Sequence, residues 1–504
     1  MANSIDVLLI HPGDRKQVYQ DLGNNLSAVE PPILAALFAG FLKKKGLSVA
    51  IYDIPARMES AQQAVTTLTE LYSPTLVVIP VYGFQPSAST QTMSAARAVA
   101  QRLKESQPNL PIMMTGPHPA ALPHRTLQEE PIDYVCSGEG PLTILETLQA
   151  LKSGQSPAGV GSLWYRDDEG EVCPPSKQAP LMQPLGQEMM EPAWDLLEMS
   201  RYRAHNWHCF DDLQNRQPYV SLYTTLGCPF KCNFCCINAP FGQPSYRMWP
   251  AEQVVKQIDH LVQTYQIRNI KFADEMFVLN KRHVTEICDL LIERDYDLNI
   301  WAYARVDTAY PELLDKMRQA GFRWLALGIE SASDFVRDGA EKSLNSHDIM
   351  DVVKRIQSSG IYVLGNYIFG LPDETLPSMH QTLNMAKELN CEFANFYSAM
   401  AYPGSELYRN AVDQGLDLPE QWHHYSQHAY DTKPLANDQL SAAEILGFRD
   451  YAFDAYFTDP NYLNMVGQTF GSDIRHAMQE MVKIKLKRRL LDETPMPEGW
   501  PNLG

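Results

Sequence analysis

Residues 221–236 read SLYTTLGCPFKCNFCC. A β-rich run, YVSLYTTLG (219–227), leads straight into Cys228. Cys232 and Cys235 follow in a C-x₃-C-x₂-C spacing, with Cys236 directly behind. A chain with nine cysteines thus places four of them within nine residues. Isolated buried thiols behave as small hydrophobes, and Cys136, Cys173, Cys209, Cys288 and Cys391 read that way. The group at 228–236 does not. Structural zinc takes four ligands, usually as two close pairs. No second pair is present, although distant histidines could complete such a site. Three soft thiolates on one tight loop suit an iron–sulfur cluster, and would leave the fourth iron of a [4Fe–4S] cluster open to a substrate or cofactor. The candidate metal ligands are Cys228, Cys232 and Cys235. Cys236 is too close to Cys235 to share the same cluster face and reads as a packing residue.

Around this loop, residues 219–410 alternate strand and helix signals. Strands are expected at 219–227, 269–274, 299–307, 324–331, 361–370 and 392–400, with helices at about 250–265, 281–293, 311–320, 346–359 and 375–389. Six such units predict a partial (β/α)6 barrel, in which chemistry sits at the C-terminal strand ends. Cys228, Asp274 with Glu275, Arg305, Glu330 and the 366–373 stretch all fall at those ends. Residues 1–153 alternate in the same way, through DVLLI (6–10), SVAIYD (48–53), TLVVIPV (75–81), PIMMTG (111–116) and YVCSG (134–138). They predict a Rossmann-like, doubly wound α/β domain. Its ligand loops would be HPGD (11–14), YGFQPS (82–87), GPHP (116–119) and GEGP (138–141). No G-x-G-x-x-G follows the first strand, which disfavours a dinucleotide. Residues 154–218 read as a connecting region with a hairpin at 162–173 and an aromatic segment, 194–210, that packs across the next domain. Residues 411–504 read as a helical C-terminal region related to the substrate.

The 504 residues carry a formal charge of −18. That balance argues against nucleic acid as a partner. The exception, KIKLKRRL (483–490), reads as a solvated helix face. ILAALFAGFL (33–42) is too short to span a bilayer, and the N-terminus lacks the pattern of a signal peptide. These features predict a cytoplasmic chain with reduced thiols.

CPFKCNFC after the first strand of a partial barrel resembles the radical S-adenosylmethionine (SAM) superfamily. The resemblance implies that the three cysteines bind the cluster and that its open iron takes the amino and carboxylate groups of SAM. FADEMF (272–277) looks like the segment that holds the methionine amino group, which points to Asp274 and Glu275. Arg305 in AYARVD and Glu330 in LGIES match polar contacts to SAM. NYIFGLPDE (366–374) resembles the adenine-side motif G-x-I-x-G-x-x-E, with Ile368 and Gly370 in place. Asn366 replaces its first glycine, and Asp373 stands where the glutamate would be. YPGSELY (402–408) resembles the barrel-closing segment of the branch with an N-terminal cobalamin-binding domain. Residues 31–46, 115–123 and 133–141 resemble that domain, which points to His11, Gly83, Gly116, His118, Gly138, Glu139 and Gly140 around cobalamin. The D-x-H-x-x-G motif is missing, so the cobalamin is expected base-off without a histidine lower ligand.

The resemblance implies a C-methyltransferase. Its 5′-deoxyadenosyl radical takes hydrogen from an unactivated carbon of a small molecule, and methylcobalamin supplies the methyl. Reduced flavodoxin or ferredoxin would supply electrons. Relatives that cyclise tetrapyrroles or methylate phosphorus share this architecture, and a cobalamin or iron–sulfur sensor without turnover is the alternative of another class. Candidate acid–base or radical-quenching groups are His423 and Tyr425, with His424, His205 and His208 beside them.

Overall fold

The computed structural model describes residues 2–83, 85, 87–189, 191–342, 346–494, 496–497 and 500–501. Part of the 82–87 loop noted above, at positions 84 and 86, lies outside the described residues.

Two sheets organise the chain. The first contains β1 (Asn3–His11), β2 (Val49–Asp53), β3 (Tyr72–Pro80), β4 (Ile112–Thr115), β5 (Tyr134–Cys136), β6 (Leu163–Arg166) and β7 (Val172–Cys173), in the order β2-β1-β3-β4-β5-β6-β7. Strands β1 to β5 are parallel. Their cores are continuous apolar runs because helices cover both faces. The strand order reverses between β1 and β3, so the crevice of the sheet opens beside His11 and residues 81–83. The hairpin expected at 162–173 forms, its turn built on Asp167, and pairs antiparallel to β5. The sheet therefore continues past residue 153.

The second sheet contains β8 (Tyr219–Leu222), β11 (Asn269–Phe272), β12 (Asn299–Arg305), β13 (Phe322–Glu330), β14 (Tyr362–Phe369) and β15 (Phe393–Ser398). All neighbours are parallel and lie in sequence order, with β8 and β15 at the edges. This is the open six-unit barrel predicted from the spacing. Between β8 and β11, a short ribbon of β9 (Thr225–Leu226) and β10 (Arg247–Met248) frames the cysteine loop. Trp207, from the aromatic segment, closes the far end of the barrel edge-on to Trp301 and Trp324, with ring centroids 5.2 Å from each.

One apolar core runs through both sheets. It includes Val7, Leu9 and the helix Ile33–Lys44 on one side and Val220, Ile270, Ile300 and Leu325 on the other. After β15 come the helices Ala442–Phe457, Pro460–Phe470, Ser472–Lys483 and Arg489–Glu493. The basic stretch 483–490 departs from expectation. Residues 484–488 are not helical. Arg488 is buried, holding Asp450 and the carbonyls of Gln427 and Ala429, while Lys485 pairs with Asp454. Arg488 is thus neutralised inside the protein, whereas Lys483, Lys485, Lys487 and Arg489 stay exposed, Lys485 and Arg489 paired with Asp454 and Asp431. Among the described residues no helix is long and apolar enough to cross a membrane.

Candidate active site

The cysteine loop leaves β9 through Gly227, whose φ of +86° places it in the left-handed region. A Cβ there would come within 2.5 Å of the Ser245 carbonyl, so the turn needs glycine. Backbone contacts then fix the loop. Asn233 donates to the carbonyls of Ala340 (3.3 Å, main chain) and Gly339 (2.9 Å, side chain), and its own carbonyl accepts from Leu407 (2.9 Å). Cys228 and Cys232 are half-buried, Cys235 is exposed, and no described cysteine is in a disulfide. Three uncommitted sulfurs on one pinned loop fit a cluster with an open iron. Cys236 is buried against Gly404.

Charged groups surround the loop. The Arg305 guanidinium lies 4.1 Å from the centre of the Phe230 ring and pairs with Asp307 at 2.9 Å. Glu330, with φ +65°, forms a buried ion pair with Lys342. Ile368 packs beside Phe234 against Val336, Ala340, Leu371 and Ala399. Arg305, Glu330 and Ile368 thus come together around the cysteine loop.

Three other expectations meet a different geometry. Asp274 is fully buried, and its carboxylate is filled by the backbone N–H of Thr224 (2.6 Å) and the Thr224 hydroxyl. It anchors the segment leading into the cysteine loop and offers no oxygen to a ligand. Burial raises it to about 6. Glu275 is half-buried, raised by burial to about 8, and lines the gap between the two sheets with Tyr82, Gly83 and Tyr223. Asp373 is exposed. Its neighbour Glu374 is fully buried and accepts from the N–H groups of Gly370 (2.6 Å) and Leu371 (3.3 Å) and from the Ser331 hydroxyl (3.3 Å). The glutamate that closes this turn therefore stands one position later than the motif places it. Gly370, at φ +85°, is required because a Cβ would strike Ile445.

The first-sheet loops face the barrel mouth. The glycines there serve the protein's own packing. A Cβ on Gly83 would meet Ala88, on Gly116 the Val81 carbonyl, on Gly138 Ser162, and on Gly140 the Phe38 ring. Glu139 forms a buried ion pair with Arg247 at 2.8 Å and accepts from the Met182 N–H, tying this loop to β10. His118 turns away from the gap. Its Nδ1 lies 3.2 Å from the Thr90 hydroxyl, its ring stands edge-on to Trp422, and burial lowers its pKa to about 3. His11 lines the gap, with Nδ1 2.9 Å from Asp53. The gap consists of two narrow cavities of about 30 and 40 Å³. They adjoin a larger one of about 370 Å³ through shared walls at Glu30, Lys271 and Gln85. Apolar walls and a single lining histidine fit a macrocyclic cofactor in chemistry. Its bulk would have to extend into the large cavity.

That cavity is walled by Trp301, Tyr303, Phe396, Tyr402 and Arg449, with a buried ion pair in its lining. Lys271 on β11 meets Glu30 at 3.1 Å, and both side chains are almost fully enclosed. Burial pushes Glu30 upward, and Lys271 opposes the rise. Lys271 and Glu30 escaped the reading of the sequence. The signal was a lysine inside the apolar run NIKF, which an inward strand position does not tolerate without a partner. His205 lines the same cavity, its Nδ1 accepting from the Ala28 N–H at 3.2 Å. His208 is structural, with Nε2 3.0 Å from the Asn299 carbonyl. His423 and Tyr425 do not line the cavity. His423 contacts Ser94 at 3.2 Å, and Tyr425 is buried between Tyr402 and Trp422.

Residues 222–386 match the radical SAM superfamily and residues 19–148 match the B12 binding domain. An uncharacterized methyltransferase of Pyrococcus horikoshii is 30% identical over 83% of this chain and 86% of its own length. The chain belongs to the B12-binding radical SAM family. Another relative within reach of this family member is the anaerobic magnesium-protoporphyrin IX monomethyl ester cyclase of Rubrivivax gelatinosus, 25% identical over 81% of this chain and 70% of the cyclase. Among solved structures, the fold is shared with the methyltransferase TsrM of Kitasatospora setae, with cobalamin and a [4Fe–4S] cluster bound. The TM-score is 0.66 at 17% identity, covering 92% of this chain and 90% of TsrM. OxsB, with aqua-cobalamin and SAM bound, gives 0.68 at 14% identity, covering 95% of this chain and 72% of OxsB.

Proposed function

We propose that the chain is a cobalamin-dependent radical SAM C-methyltransferase acting on an sp³ carbon of a small molecule. The observation that carries this reading is the placement of Cys228, Cys232 and Cys235 on one pinned loop, with the crevice of a B12-type sheet and a cavity of about 370 Å³ close by. When bound, the cofactors supply a one-electron reduction of a sulfonium and a transferable methyl group. The residues supply the rest. The three cysteines hold the cluster. Arg305, Glu330, Ile368 and the Gly370 turn line the SAM side, with Lys342 keeping Glu330 in place and Glu374 keeping the turn closed. Tyr82, Gly83, Tyr223 and Glu275 line the cobalamin side. Aromatic walls around Lys271 and Glu30 exclude water from reactive species. In domain terms, 1–153 would hold cobalamin, 219–410 the cluster and SAM, and 411–504 the wall of the substrate cavity, joined by 154–218. Electrons would come from reduced flavodoxin or ferredoxin in the cytoplasm.

The test is anaerobic reconstitution with iron, sulfide and hydroxocobalamin, followed by SAM and reductant. 5′-Deoxyadenosine together with cobalamin-dependent S-adenosylhomocysteine is expected. 5′-Deoxyadenosine alone would favour cyclisation, the reaction of the Rubrivivax relative. Methylation that survives Cys232→Ala would remove the proposal.

The cobalamin is proposed base-off with no histidine below the cobalt. His118 is turned to Thr90, and His11 is engaged at Nδ1 by Asp53. Electron paramagnetic resonance of the Co(II) form should show no imidazole nitrogen splitting and should be unchanged in His11→Ala. Splitting that disappears in that variant would make His11 the ligand.

A further inference from the structure

Two of the three histidines of the 421–430 segment, His423 and His424, lie outside the cavity, yet they are not idle surface residues. His423, His424 and Asp431 bring one ligand atom each to within 4.8 Å of one another. We propose that these three residues form a site for a divalent transition ion of the zinc type, separate from the cysteine loop. Two imidazoles and one carboxylate are a borderline donor set suited to such ions, with further positions left for water.

The surroundings of the donors favour this reading over a chance cluster. Metal-binding histidines typically donate their second ring nitrogen to a fixed acceptor, and ligating carboxylates are themselves hydrogen-bonded. His423 Nδ1 lies 3.2 Å from the Ser94 hydroxyl on the helix Ala88–Ser106. With the proton on Nδ1, Nε2 keeps its lone pair for a metal. Asp431 accepts from Arg489 Nε at 2.9 Å through Oδ1, which orients the carboxylate and leaves Oδ2 free of that contact. His424 is buried, and its ring stands edge-on to His423 at 4.4 Å. The positive charge of Arg489 opposes a cation. Asp431 itself and the nearby Asp14 and Glu420 offset it.

The ion would close a loop, 424–431, whose middle residues Gln427 and His428 line the large cavity. It would also fasten that loop, through His423 and Ser94, to the first-sheet domain. The site would then stiffen one wall of the cavity without taking part in its chemistry.

The test is anaerobic equilibrium dialysis of the cluster-loaded protein against zinc, with zinc and iron both counted. About one zinc per chain is expected in addition to the iron. His424→Ala and Asp431→Asn should each weaken retention by at least about 100-fold, and Arg489→Gln and Ser94→Ala by about tenfold, as loss of a group that orients a metal ligand does. Ser94 lies on a separate helix and is only partly buried, so its variant remains informative if His424→Ala does not fold. X-ray absorption at the zinc edge should show imidazole and oxygen and no sulfur. No retained zinc, retention unchanged in the His424, Asp431 and Ser94 variants, or sulfur around the zinc would each overturn the proposal.

Discussion

The cysteine loop and the segment 421–490 make opposite uses of sequence. In the loop, function is written locally. The spacing of three cysteines, the glycine before them and the aromatic rings among them act within nine residues of one another, and remote parts of the chain only hold the loop still. In 421–490 much of it is not local. Arg488 is meaningful because Asp450 and the carbonyls of Gln427 and Ala429 surround it, and His423 because Ser94 lies across a domain boundary. A motif can be found where neighbours in sequence are neighbours in function. Elsewhere the meaning of a residue resides in contacts that only folding supplies.

The sharpest way to break this comparison is at the loop. Cys232→Ala should abolish 5′-deoxyadenosine formation and lower cluster iron, measured by product and metal analysis, with far-UV circular dichroism unchanged. A variant that keeps its iron and its product would show that the local pattern is not the active element.

The next effect lies on the non-local side. Lys271→Met leaves Glu30 buried without its partner, and should destabilise the fold by about 3–5 kcal/mol in denaturant titration. Adding Glu30→Leu should recover most of that loss. If the double variant is no better than the single one, the loss does not come from leaving Glu30 unpaired.

Smaller again is the response to pH. Glu374 is raised by burial to about 8 from an ordinary value of 4.5, and Glu392 to about 7. Between those values the folded state holds protons that the unfolded chain has released. Stability is therefore greatest in the acidic part of the window and falls as pH rises from about 4.5 to 8. The slope approaches about 1.4 kcal/mol per pH unit for each proton retained. Glu374→Gln should flatten the upper part of this slope in unfolding midpoints taken at several pH values. A slope unchanged by the substitution would assign the effect to other carboxylates.

The smallest expected change is at Arg305. Arg305→Gln removes a cation from the face of Phe230, an interaction worth about 0.5–2 kcal/mol. It should weaken SAM binding by about tenfold in calorimetry on the cluster-loaded protein while leaving iron content intact. An equal loss of iron would recast Arg305 as a support of the loop.

The same comparison explains what could be read in advance. The six barrel strands lie within a few residues of their apolar runs, because a parallel strand buried on both faces writes itself as continuous Val, Ile, Leu and aromatic sequence. The close spacing of the three cysteines was equally legible. Glu374 was missed because a motif counts positions, whereas the turn selects whichever carboxylate reaches the N–H groups of Gly370 and Leu371. Asp274 was read as a ligand-facing group because a carboxylate at a strand end usually is one, but Thr224 had already claimed both its oxygens. The basic run 483–490 looked like a solvated helix because its counter-charges, Asp431, Asp450 and Asp454, lie 31 to 58 residues before the residues they pair with.

Arg488 has a further consequence in time. A ribosome makes the chain from residue 1 onward, so the cysteine loop and both sheets emerge long before the segment that pins Gln427 and Ala429. The stretch of cavity wall from Met481 to Leu486 is among the last parts to be laid down. Arg488 therefore fastens, late in synthesis, a cavity wall most of whose residues precede it in the chain.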